Sequence, residues 1–267
     1  MRRSALLLVL VAAAIVPASA SAGVPGTHCD VFPANNIWNI RVDSLPVHDM
    51  SATWLASASA NSTDLHPDFG PPDYGIPFDV VGPGHDKVEV DFVYADENDA
   101  GPYPFDARTS IEGGSDHHAL IVERGTCRLY ELFDAGWNSG NPKAGSGAIF
   151  DLDRNRLRPE TWTSADAAGL PIFVGLVRWD EVKAGSIRHA IRFTVDCTTE
   201  AYVWPARHEA GVADPDCPPM GARFRLKASF VLTGFGAKAK TVPASAFEAV
   251  DASACMVDVD SGRADCH

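Results

Sequence analysis

Six cysteines constrain this chain more than any other feature, because Cys29, Cys127, Cys197, Cys217, Cys255 and Cys266 all follow a segment that reads as an export signal. Arg2 and Arg3 precede an apolar run over residues 5–16, and Ala20, Ser21 and Ala22 are the small residues that suit cleavage after Ala22. An even cysteine count in an exported chain predicts up to three disulfides. About fifteen pairings are possible. Proximity ranks Cys197 with Cys217 and Cys255 with Cys266 first, which leaves Cys29 to tie the start of the chain to Cys127. The apolar run is about a dozen residues, short of the roughly 20 that a bilayer-spanning helix needs. The expectation is a secreted or extracytoplasmic protein with no membrane span.

Two-residue alternation dominates wherever the sequence is periodic. Over residues 222–230, Ala222, Phe224, Leu226, Ala228 and Phe230 point one way, and Arg223, Arg225, Lys227 and Ser229 the other. Residues 88–94, with Glu89 and Asp91 outward, and 188–195, with His189, Ile191, Phe193 and Val195 inward, read alike. Residues 118–122 and 127–133 predict a hairpin around Arg124, Gly125 and Thr126, and 148–152, 172–179 and 201–204 add strands. Helical signals are short, at 51–58, 163–169 and 244–250. With 22 Gly and 19 Pro punctuating the chain, this predicts an all-β fold, an antiparallel β-sandwich or jelly roll with a few short helices. It would occupy residues 23–267 as one domain, with an acidic, cysteine-bearing tail from about residue 250.

Charge narrows the partners. Removing the two signal arginines takes the formal charge from −13 to −15, which opposes nucleic acid as a ligand, since that needs a cationic footprint. Yet Arg188 and Arg192 share one expected strand face, and Arg223, Arg225 and Lys227 another. Neighbouring strands of this kind would make a cationic face able to grip carboxylates or sulfates. The alternative is cross-strand pairing with acidic strands such as 88–94.

Several motifs resemble those of a family of uncharacterised secreted bacterial proteins, mainly actinobacterial. They comprise Phe32, Pro33, Ala34, Asn35, Asn36, Ile37, Trp38 and Asn39; Gly113, Gly114, Ser115, Asp116, His117 and His118; and Leu129, Tyr130, Glu131 and Leu132. The run 157–171 and the stretches 175–178, 189–193, 205–208 and 219–221 extend the resemblance over roughly residues 29–235. It implies a secreted single domain and carries over no reaction. The tail departs from the family pattern, which continues into an aliphatic helix and a strand.

The densest polar cluster is Glu112, Asp116, His117 and His118, with Glu131 on the paired strand. A carboxylate beside an imidazole suits general acid/base chemistry; the alternative is a loop whose polar side chains satisfy turn amides. Glu131 alternates with Cys127, Leu129 and Phe133, so it is expected on an apolar face, either paired with an arginine or with its proton affinity raised. His189 shares the face of Ile191, Phe193 and Val195, as a catalytic group or a hydrogen-bonded core residue. Trp137 heads the tryptophans that offer flat surfaces to sugar rings. No zinc spacing, P-loop, dinucleotide fingerprint or G-x-S-x-G occurs, and Arg156 stands where a calcium loop beginning at Asp151 needs glycine, so no metal or cofactor is expected. Two readings follow. One is a secreted enzyme on extracellular carbohydrate, a glycosidase or lyase acting on an acidic polysaccharide. Asp116, His118, Glu131 and His189 would be its catalytic candidates, and Arg192, Arg223, Arg225 and Trp137 its substrate-binding ones. The other is a non-catalytic extracellular or cell-envelope protein that uses the same surface to bind an anionic polysaccharide or small anion.

Overall fold

The hairpin forms where alternation and turn chemistry agree. Ala119–Glu123 pairs antiparallel with Arg128–Phe133, closing at Glu123 opposite Arg128. Between them Gly125 turns at φ +105°, a conformation that side chains oppose. A computed structural model of the chain describes residues 23–65, 75–138, 140–230, 242–258 and 262–266. The expected export signal at residues 1–22 lies outside them.

Two further strands complete the central sheet. Phe78–Val81 joins Ala119–Glu123 in parallel, and Ser146–Asp151 joins Arg128–Phe133 antiparallel. Leu120, Val122, Leu129, Ala148 and Phe150 pack on one face with Ile37, Trp38, Ile172 and Phe173. Ala119, Ile121, Tyr130 and Leu132 pack on the other with Tyr103 and Phe105. Burial on both faces explains why the apolar run of Ala119–Glu123 does not alternate. The regular structure is mostly strand, with α-helices only at Ser51–Ser57 and Trp179–Ala184 among the described residues. The β-rich class is therefore as expected. The sheets are small and mixed, however, and much of what covers the central one is irregular chain and short 3-10 turns, not a second large sheet.

Three disulfides form, Cys29–Cys127, Cys197–Cys217 and Cys255–Cys266, the pairing that proximity ranked first. The tail is woven into the fold. Met256–Val257 pairs with Ala264–Asp265, Ala264 is buried in the main core, and the Ile37 amide donates to the Gly262 carbonyl at 2.7 Å. No helix among the described residues is long and apolar enough to cross a membrane.

Several local expectations change: residues 88–94 form a strand only at Asp91–Phe92, and 201–204 make a single bridge from Tyr202 to Met220. Residues 163–169 make a turn-rich strap, because the Ser164 hydroxyl accepts the Asp166 amide and the Asp166 carboxylate accepts the Ala168 amide, each at 2.9 Å. Such side-chain bonds compete with helix formation. Residues 244–250 give a 3-10 turn and then the strand Phe247–Val250, which pairs with Arg223–Leu226 and buries Ala249 and Val250. Residues 172–179 place a 3-10 turn at Phe173–Gly175. Residues 188–195 join no sheet; the Ala190 amide donates to the Trp38 carbonyl at 2.7 Å and the Arg192 amide to the Gly175 carbonyl at 3.0 Å.

Candidate functional site

Freed from a sheet, the 188–195 segment becomes one wall of an open cavity of about 1310 Å³. Trp38, the 163–168 strap and the start of the Arg223–Leu226 strand supply other walls. Its alternation inverts beyond His189. Ile191 and Phe193 are 49% and 43% exposed, because they face this space. Phe193 meets Phe224 edge to face, with ring centroids 5.4 Å apart.

Of the residues singled out from the sequence, Asp116, His118, His189, Arg192, Arg223 and Arg225 line this cavity, whereas Glu131 and Trp137 do not. Trp137 packs edge-on to Phe105 in the core on the other sheet face. The Asp116 loop is set by two non-glycine residues in the left-handed region, His117 at φ 47° and Asp134 at φ 49°. They bend the hairpin end so that the Asp134 amide reaches the Asp116 carbonyl at 2.8 Å. Among the described residues, the exposed Asp116 carboxylate keeps only a 3.2 Å bond from the Ser115 hydroxyl.

Three histidines line the cavity and all are hydrogen-bonded, His208 through its Nδ1 at 2.7 Å from the Ala167 carbonyl. His118 Nδ1 lies 2.6 Å from a Glu112 carboxylate oxygen, and its Nε2 lies 3.2 Å from the Ala165 carbonyl of the strap. The His189 Nε2 lies 3.1 Å from Glu181, and its Nδ1 lies 2.8 Å from the Ala190 carbonyl. Every partner of His118 and His189 is an acceptor within the fold, so both nitrogens of each ring are engaged in holding neighbouring segments. Glu181 also holds Arg178 at 2.8 Å, a guanidinium buried over the Phe173 ring and pushed below its ordinary range by that burial.

Glu131 is fully buried, and its partners are amides: its two carboxylate oxygens accept the Phe173 and Ile172 N–H groups at 2.8 and 2.9 Å. Burial is the main cause that pushes it up to about 7, against the pull of those two bonds. The Asp166 charge adds to the rise and the Arg192 charge opposes it. It therefore pins the Phe173–Gly175 turn and does not line the cavity.

The arginines divide. Arg192 Nη2 pairs with Asp166 at 2.6 Å and latches the strap. Arg225 pairs across strands with Glu248 at 2.9 Å and donates to the Asp43 and Leu45 carbonyls at 2.6 and 2.7 Å. Arg223 differs. Its Nη2 donates to the Ile37 carbonyl at 2.9 Å, its buried Nε has no partner, and no carboxylate among the described residues pairs with it. Burial alone pushes it down to about 10. An uncompensated cation held partly out of water on a cavity wall favours an incoming anion, which supplies the missing charge and acceptors.

Asp166, Glu181 and the Phe193–Phe224 pair were not legible as site residues. Asp166 reads as a helical first-turn residue and Phe193 as a core residue, and no sequence signal marks a strand-like run that joins no sheet. Compared with known proteins, the chain matches no family model, no curated protein and no solved structure.

Proposed function

We propose that the cavity binds an acidic extracellular saccharide, and that the protein works as a secreted recognition protein in which Arg223 grips a carboxylate or sulfate. The observation that carries this reading is Arg223, a cavity residue whose buried Nε is unpartnered and which no carboxylate among the described residues pairs with. Three disulfides suit an oxidising compartment. Export through residues 1–22 and kinship with the secreted bacterial family belong to the same reading. The two-carboxylate glycosidase draws no support from the geometry, because Glu131 is sequestered on backbone amides.

A lyase is the second reading, favoured by the exposed Asp116 carboxylate on the same cavity as Arg223. A carboxylate base facing an arginine that neutralises a uronate is what proton abstraction next to that group requires. Titration calorimetry with a galacturonate trimer at low salt tests the primary reading. Charge-assisted hydrogen bonds are worth about 1.5–3 kcal/mol, so Arg223→Gln should weaken binding about 10-fold to 100-fold. Equal binding by the variant, or equal binding of a neutral xylose trimer, refutes it. Absorbance of unsaturated products over the same incubation separates binding from elimination.

A further inference from the structure

We propose that the Phe193–Phe224 pair is the subsite that takes the apolar face of the sugar ring whose anionic group Arg223 holds, so that this cavity recognises a ring and a charge together. This rests on the reading of the cavity as an anion site and adds to it the class of group that lies beside the charge. Three observations converge. Phe193 keeps 43% of its surface exposed although it is in ring contact with Phe224, so one aromatic surface faces the cavity. Ile191, 49% exposed on the same wall, extends that surface. Arg223 and Phe224 both line this cavity, so the charge and the aromatic ledge open onto one space.

Apolar side chains left this exposed on a cavity wall lower the free energy of any ligand that covers them. A pyranose ring suits the place because it carries C–H groups on its faces and hydroxyls on its rim, and the Thr194 and Thr198 side chains line the same cavity. Charge selects among such rings. A neutral sugar would cover the ledge and leave Arg223 desolvated and unpaired, whereas a uronate or sulfated sugar answers both.

The test compares two probes, the galacturonate trimer and inorganic sulfate, against the full chain and two variants, Phe193→Ala and Phe193→Leu. Leucine keeps most of the buried volume without the aromatic face, so it retains the test if alanine fails to fold. The expected result is trimer affinity lowered about fivefold or more in both variants, with sulfate affinity unchanged. Unchanged trimer affinity overturns the subsite while leaving the Arg223 reading standing. An equal loss for trimer and sulfate also overturns it, since that marks a general disturbance of the wall. If the unaltered protein binds neither probe, the reading of the cavity itself falls, and with it this inference.

Discussion

Glu131 should make the protein less stable as the pH rises toward neutrality, opposite to the usual behaviour of a carboxylate. Its folded-state value lies near 7, against an ordinary 4.5, because the side chain is fully buried. The folded protein then holds a proton on Glu131 over a range where the unfolded chain has lost it. The stabilisation is fully present below the unfolded value, near 4.5, and declines as the pH rises through about 7. Its size is about 3 kcal/mol, at 1.36 kcal/mol for each pH unit of the difference. Glu131→Gln removes the titration but turns an amide –NH2 toward one of the two N–H donors of Ile172 and Phe173. It should therefore cost a further 1–3 kcal/mol or so at all pH values. Urea unfolding of both proteins between pH 4.5 and 8 isolates the effect, because the other carboxylates cancel in the difference. The advantage of the native protein over the variant should shrink by about 3 kcal/mol between pH 4.5 and 7.5. A constant difference would show that the two amide bonds hold Glu131 in the ordinary carboxylate range, and would refute the argument from burial.

Other perturbations follow from the same structure. Glu181→Gln leaves the buried Arg178 charge poorly compensated, and chemical denaturation should register a loss of about 3–5 kcal/mol. Replacing Cys29 and Cys127 by serine opens a link between residues 98 apart. It should cost about 4–5 kcal/mol by loop closure, against about 3 for Cys255 and Cys266, read from urea midpoints. Gly147→Ala would place a Cβ 2.7 Å from the Phe92 ring and 2.8 Å from the Tyr103 hydroxyl, a loss of about 1–3 kcal/mol visible as a lower melting temperature. Trp137→Ala should leave galacturonate affinity unchanged in the same calorimetry, because Trp137 packs on Phe105 away from the cavity.

The sequence by itself determined the elements whose causes are local. The hairpin around Gly125 was legible because apolar runs of the right length flank a glycine turn. The disulfides were legible because two cysteine pairs are close in the chain and the third is then fixed. The Ser51–Ser57 helix was legible within a residue. Burial of Glu131 followed from its apolar alternation, but its partners did not, since the Ile172 and Phe173 amides lie 41 and 42 residues away and a backbone donor has no sequence signature. Only the tertiary structure decided the cavity. Whether the alternating 188–195 segment pairs into a sheet or stands alone against Trp38 and Gly175 depends on which edges the rest of the chain leaves open. The arginines show the same division. Their clustering was plain in the sequence, but Arg192 is spent on Asp166 and Arg225 on Glu248, while Arg223 keeps its charge unanswered. Each arginine's availability depends on where distant carboxylates arrive. That is settled by the packing of segments far apart in the chain, which residue spacing does not encode.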